Sequence, residues 1–285
     1  MPESALFDAD ALAVAERHGS ASHFRWLATS EDPEAVALRA ALQRGFALAG
    51  ARGGELRKAL EHERWGQHAG ALAHLLMLGL LAAHGFDVRA EPALGGQSPD
   101  ILALRDGASL LVEVRAVTGA GSFPWEERRA TGRAISPEAR ERLEQSLAGI
   151  LQRKADTYRP LVERLGVPYV IALYQDKDST IGPITRDLLY GRADPRDDSR
   201  AAEGGAFGEP ASGLQHVSAV IVFGREDTPS GELRLHGELL ENPRAAQPLP
   251  AAARLERLRR YTADPAHAGR ARWTGAAPPP FGLEE

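Results

Sequence analysis

Cysteine is absent from all 285 residues. Its absence excludes a disulfide framework, a thiolate metal site and a cysteine nucleophile, and it fits a cytoplasmic protein. Lysine is almost absent as well. Lys58, Lys154 and Lys177 are the only lysines among 34 basic residues. Such a bias is expected of a GC-rich bacterial genome, and it draws notice to each lysine that remains. No hydrophobic run reaches the ~20 residues needed to span a bilayer. The most apolar stretch, Ala69 to Ala83, is shorter and carries His74, so a buried helix and no membrane partner are expected. The acidic start of the chain lacks the basic and apolar parts of a signal peptide. A Gly-x-Ser-x-Gly elbow, a P-loop and a Rossmann glycine fingerprint are also missing, which leaves little support for an unrelated α/β hydrolase or transferase.

What is present is ordinary globular composition: 43% hydrophobic and 26% charged residues at 30.6 kDa, enough chain for a sizeable core. The formal net charge of −5 means that binding to nucleic acid would need a local basic patch.

Residues 1–66 read as a helical N-terminal extension. Ser4 to His18 and Pro33 to Leu48 carry apolar residues at helical spacing, and Asp32 precedes a proline in the first turn. The Ala69–Ala83 helix closes at Gly85, and Phe86 to Glu91 alternates as a short strand. Ile101 to Arg105 and Ser109 to Val117 flank Asp106-Gly107, the signature of a two-residue β-hairpin. A polar loop follows through Arg133. Ser136-Pro137 opens a long helix, which Pro160 is expected to interrupt and Gly166 to end. Val167 to Tyr174 is a buried strand, so hairpin, helix and strand form a crossover onto a parallel neighbour. A short helix ends at Tyr190, and 192–213 reads as a mobile loop. Val217 to Phe223 and Glu232 to His236 are strands. Ala251 to Tyr261 reads as an arginine-rich helix, followed by a loose tail from Ala266. The expected domains are thus 1–66, a core over 67–250, and 251–285.

A two-residue loop centred on Asp106-Gly107 pairs Leu102 with Leu111 and Asp100 with Glu113. Directly opposed residues share a face, with Cβ atoms roughly 4.5–5.5 Å apart. Arg115, two residues beyond Glu113, shares it too. Opposed carboxylates on an otherwise apolar hairpin call for a cation between them, and oxygen ligands suit Mg²⁺ or Mn²⁺. A three-residue loop with a bulge would instead put Asp100 on the other face. A solvated hairpin end is the plainer reading, as is an ion pair between Arg115 and Glu113.

Ser98-Pro99-Asp100, twelve residues, then Glu113-Val114-Arg115 on an apolar strand resembles the PD-(D/E)XK nuclease superfamily, also called restriction-endonuclease-like. The apolar helix before it, the helix containing Lys154 to Tyr158, the Val167–Tyr174 strand and Glu241-Asn242-Pro243 add to the likeness, which covers roughly Gln67 to Pro248. The resemblance implies an α/β fold, a restriction-endonuclease-like central mixed sheet flanked by helices, and a Mg- or Mn-dependent phosphodiesterase acting on DNA in defence, restriction or repair. It also implies that Asp100 and Glu113 hold the metal.

Two positions depart from the pattern. Arg115 stands where the superfamily has lysine, and His74 stands near its helix glutamate; by spacing Glu63 and Gln67 share the helical face of His74, with Glu63 a rival for that role. Lys154 shares a stripe with Leu143, Leu147, Ile150 and Tyr158, so it lies on the face of its helix that covers the sheet. A lysine moved from strand to helix could serve the same catalytic group. His74 could complete the metal shell, orient water, or be a buried histidine bonded to backbone.

Residues 243–272 hold seven arginines against Glu256 and Asp264, a local net charge of +5. Arg254, Arg257 and Arg260 are candidate phosphate contacts, or a solvated helix face. The Glu126–Arg129 loop is a further candidate contact. A degenerate module that binds nucleic acid or a partner protein without cleaving, and a subunit active only in a larger complex, remain alternatives. A protein partner or homodimer is compatible with each.

Overall fold

A computed structural model describes residues 5–19, 22–117, 136–176, 181–191, 200–201, 205–209, 212–226, 234–256, 258–263 and 270–274. The polar loop through Arg133, with Glu126–Arg129, lies outside these residues, as does Arg257. The chain is α/β, as expected. Seven α-helices occur among the described residues: α1 (Ala9–Arg17), α2 (His23–Thr29), α3 (Pro33–Leu48), α4 (Gly53–Leu60), α5 (Trp65–Ala83), α6 (Pro137–Leu165) and α7 (Ile181–Tyr190). Strands β1 (Asp87–Ala90), β2 (Ile101–Arg105), β3 (Ala108–Ala116), β4 (Tyr169–Gln175), β5 (Arg200–Ala201), β6 (Ala219–Glu226), β7 (Arg234–Glu241), β8 (Arg259–Ala263) and β9 (Arg270–Thr274) form one mixed sheet. Their order is β1-β2-β3-β4-β6-β7-β8-β9-β5, counting the two-residue β5. Strands β3, β4 and β6 run parallel, as do β7 and β8; the other neighbours are antiparallel.

The sheet is covered on both faces, as a central run of parallel strands requires. Val112, Val114, Val170, Ala172, Ile221 and Phe223 pack against the N-terminal helices. Leu111, Ile171, Leu173, Val220 and Val222 alternate with them and pack against α6 and α7. The residues before position 66 therefore share one hydrophobic cluster with the sheet. Helix α5 is long and apolar enough to cross a membrane by composition, but 67% of its apolar window is buried inside the protein; it is the core helix of this layer. It crosses α3 so closely that a Cβ at Gly45 would sit 2.0 Å from the Leu75 carbonyl oxygen.

The sequence-based boundaries hold closely for α3 and β4; the β6–β7 hairpin is present as expected, but β6 runs three residues past Phe223 and β7 five residues past His236. Other expectations are corrected. Helix α1 starts at Ala9, because Asp8 caps it by accepting from the Ala11 amide at 3.0 Å. Pro160 does not interrupt α6, which runs unbroken to Leu165 and ends on left-handed Gly166. Proline costs one backbone bond there, a penalty of ~3 kcal/mol, which burial of Tyr158, Leu161 and Val162 offsets.

The arginine-rich helix over 251–261 is replaced by a 3₁₀ turn at Ala251–Ala253 and strand β8. Fully buried Tyr261 packs beside Trp273, exposed Arg259 shares its face and lies 3.8 Å over the same ring, and half-buried Arg260 points to the other face. The tail is likewise not loose over Arg270–Thr274, which forms β9. Within 192–213, Arg200–Ala201 pair with β9 and Phe207 is buried; 192–199, 202–204 and 210–211 lie outside the described residues.

Candidate active site

The β2–β3 hairpin has the register that a two-residue Asp-Gly loop dictates. Ile101 faces Val112 and Arg105 faces Ala108. Asp106 and Gly107 both take positive φ, 50° and 78°, the conformation of a type I′ turn. One residue before β2, Asp100 falls opposite Glu113. Its Oδ2 accepts from the Val114 amide at 2.7 Å, which ties the carboxylate across the open end of the hairpin.

Glu113 is fully buried, 0% exposed, on the face that α6 covers. Its Oε1 receives two cations: Arg115 Nη2 at 2.6 Å and Lys154 Nζ at 2.6 Å. Its Oε2 is buried without a partner among the described residues. The ion pair with Arg115 and the reach of Lys154 from its helix therefore exist together. Burial raises the pKa of both carboxyls. The Asp100 charge raises Glu113 further, while Lys154 and Arg115 oppose the rise.

Three hydrogen bonds pin the segment that leads to Asp100 onto α6. Arg164 Nη2 donates to the Leu94 carbonyl at 2.9 Å, Gln97 Nε2 to the Thr157 carbonyl at 2.6 Å, and the Tyr158 hydroxyl to the Ser98 carbonyl at 3.0 Å. Burial and the nearby Glu113 charge raise the Tyr158 pKa, so the hydroxyl remains a donor. Helix α6 thus carries Lys154 and also holds the loop that places Asp100.

His74, on α5, is buried, and its Nε2 has no partner among the described residues. Burial first, then the charge of Arg52, brings its pKa down to about 4, while Glu113 opposes the shift. The imidazole is neutral at neutral pH. No backbone hydrogen bond to it is present among the described residues. Glu63 is not a rival: it precedes the first turn of α5 and is exposed. Gln67 is also exposed and does not share the buried side with His74.

Two residues near the site escaped sequence reasoning. Glu91 takes a left-handed φ of 42° and donates its amide to the Asp100 carbonyl at 2.8 Å. Arg52 ion-pairs with Glu91 at 2.5 Å. Neither lies in a motif, and only a fold brings a turn between helices beside a strand end.

Arg254 and Arg260 engage a different carboxylate. Arg260 and Arg254 ion-pair with Glu241, at 2.6 and 3.6 Å. Strand β8 lies four positions from β3, roughly 19 Å by strand spacing. Arg257 lies outside the described residues.

Among the described residues, no group of three or more His, Asp or Glu is arranged to hold a metal. Two carboxylates, one with an orphaned buried oxygen, still fit a hard divalent cation that keeps most of its water. No family model matches the chain, and neither a curated protein nor a solved structure matches it significantly.

Proposed function

We propose that the chain is a restriction-endonuclease-like phosphodiesterase that cleaves DNA, with Asp100 and Glu113 as ligands for Mg²⁺ or Mn²⁺. The observation that carries this reading is the state of Glu113. It is fully buried, held by two cations through one oxygen, and without a partner at the other among the described residues. A buried unpaired carboxylate oxygen costs roughly 1–3 kcal/mol or more, and a site that binds a cation recovers that cost on loading.

Such a cation, when bound, supplies Lewis-acid stabilisation of the phosphoryl group. The chain's own residues divide the remaining work. Arg115 is always charged, so it stabilises negative charge but cannot accept a proton. Lys154 Nζ, held beside Glu113, presents a second charge and can hand over a proton. Neutral His74 lies on α5, in the layer across the sheet from Glu113, and no hydrogen bond joins it to either carboxylate among the described residues. Tyr158 positions the Asp100 segment.

A second reading rests on the same geometry. Arg115 and Lys154 already offset the charge of Asp100 and Glu113, as they would in a module that keeps the fold and binds nucleic acid or a partner without cutting. One experiment separates the two. Thermal stability with and without Mn²⁺ and Mg²⁺ should rise for the wild type by RT ln(1 + [L]/Kd) and stay flat for Asp100→Asn, and the wild type alone should cut DNA in a metal-dependent screen. No metal shift and no cleavage would overturn the nuclease reading in favour of the binding module.

A further inference from the structure

A second buried polar cluster lies on the sheet face opposite Glu113. Arg225, at the end of β6, is 2% exposed in its side chain, and its guanidinium sits 5.9 Å from the centre of the Trp26 ring. It pairs with Asp176, just beyond β4, and with Glu34 of α3. The Tyr174 hydroxyl also donates to Asp176, at 2.9 Å. From Arg225 a chain of hydrogen bonds leads into the helices. Arg225 Nη2 lies 3.2 Å from His23 Nε2, His23 Nδ1 lies 2.7 Å from His68 Nε2, and His68 Nδ1 lies 2.5 Å from the Leu60 carbonyl oxygen.

Only one assignment of protons satisfies every link. A guanidinium has donors alone, so His23 Nε2 accepts. The proton of neutral His23 is then on Nδ1 and is donated to His68 Nε2. His68 in turn carries its proton on Nδ1, facing a carbonyl that can only accept. Both rings are neutral Nδ1–H tautomers, and the relay has one direction. It connects four elements: β6 through Arg225, α2 through His23, α5 through His68 and α4 through Leu60.

We propose that this relay is an acid-released latch between the N-terminal helices and the sheet. A proton added to Nε2 of His23 faces the Arg225 donor, and a proton added to Nε2 of His68 faces the His23 donor. Either addition sets two N–H groups against one another and breaks the joint. The Leu60 carbonyl and the Asp176 charge favour a protonated His68, but burial and the Arg225 charge outweigh them, and Asp176 and Glu34 are themselves engaged by Arg225. His18, before α2, adds positive charge when protonated. Burial, reinforced by the Arg225 charge, brings the His68 pKa down to about 4, whereas a histidine released into water titrates near 6.5. The linked opening equilibrium should rise about thirtyfold between pH 7.5 and pH 5. Helix α5 carries both His68 and His74.

The test is amide hydrogen exchange on the full chain at pH 7.5 and 5.0, corrected for intrinsic exchange. Amides of α2 and of residues 60–70 should open about thirtyfold more at pH 5, relative to those of β4 and β6. The double variant His23→Gln with His68→Gln keeps an acceptor and a donor at each link but cannot titrate, so the excess opening should vanish. No excess in the wild type, or an undiminished excess in the variant, would overturn the latch. Should the variant fail to fold, nitrogen–proton correlation spectra of the wild-type imidazoles decide. Nδ1–H tautomers at both histidines at pH 7.5 support the relay, and an Nε2–H or charged ring at either one overturns it.

Discussion

Lys154 Nζ on α6 and Glu113 Oε1 on β3 meet at 2.6 Å, where the strand itself offers arginine at Arg115. The helix thus supplies the ammonium that the strand lacks. Both cations converge on one oxygen of a carboxylate from which water is excluded, so each should contribute to stability as well as to chemistry. Removing one partner of a buried pair typically costs 3–5 kcal/mol. Arg115 remains when Lys154 is lost, so Lys154→Met should cost about 2–3 kcal/mol by urea unfolding. Glu113→Gln combined with Lys154→Met should cost clearly less than the two added together. Strict additivity would show that the two groups do not interact.

The close crossing of α3 and α5 makes a sharp contrast between two glycines. A Cβ at Gly45 would lie 2.0 Å from the Leu75 carbonyl oxygen, whereas one at Gly70, on the same bundle, meets nothing within 4 Å. Gly45→Ala must push the helices apart and should lower the melting temperature by many degrees or prevent folding. Gly70→Ala should be stabilising by about 0.5–1 kcal/mol, through the entropy of the unfolded chain. Equal effects at the two positions would contradict the helix packing.

Acid stability carries a signature of Asp8. The Arg57 guanidinium, bonded to it at 2.6 and 2.7 Å, together with the Ala11 amide, lowers its pKa to about 2. A depressed carboxyl pKa contributes stability that is fully present above its unfolded value near 4 and is lost as pH falls toward 2. Asp8 is about a third exposed, so screening holds the contribution to roughly 1 kcal/mol or less. The stability difference between wild type and Asp8→Asn should be constant above pH 5 and shrink between pH 4 and 2. A difference that does not change with pH would assign the effect to the helix cap alone.

Local signals made the core of the site legible in the sequence. Asp106-Gly107 admits positive φ at both positions, so it set the hairpin register and with it the opposition of Asp100 and Glu113. The stripe from Leu143 to Tyr158 placed Lys154 over the sheet. What was illegible depends on long-range pairing. The spacing of Arg254 to Arg260 suits a helix face, but Tyr261 and Thr262 favour a strand, and parallel pairing with β7 decides the outcome. Pro160 is tolerated only because the residues beyond it are buried. Arg52, Glu91 and the His23–His68–Arg225 relay join segments far apart in the chain, and no local pattern announces such contacts.

Turnover should rank the two cations at Glu113. Lys154 is mostly enclosed, with 20% of its side chain exposed, and Arg115 is more open at 42%. An enclosed charge acts in a lower dielectric and is fixed before the reaction begins, so its removal costs more. If the chain cleaves DNA, Lys154→Ala should lower single-turnover cleavage about 10²–10³-fold, the usual loss for one preorganised donor. Arg115→Ala should cost less, and more of its effect should appear as weakened substrate binding, since an exposed arginine can meet phosphate before the reacting geometry forms. The reverse ranking, with Arg115→Ala the more damaging in turnover, would return the lysine's part to the strand position and leave Lys154 as a structural counter-ion of Glu113.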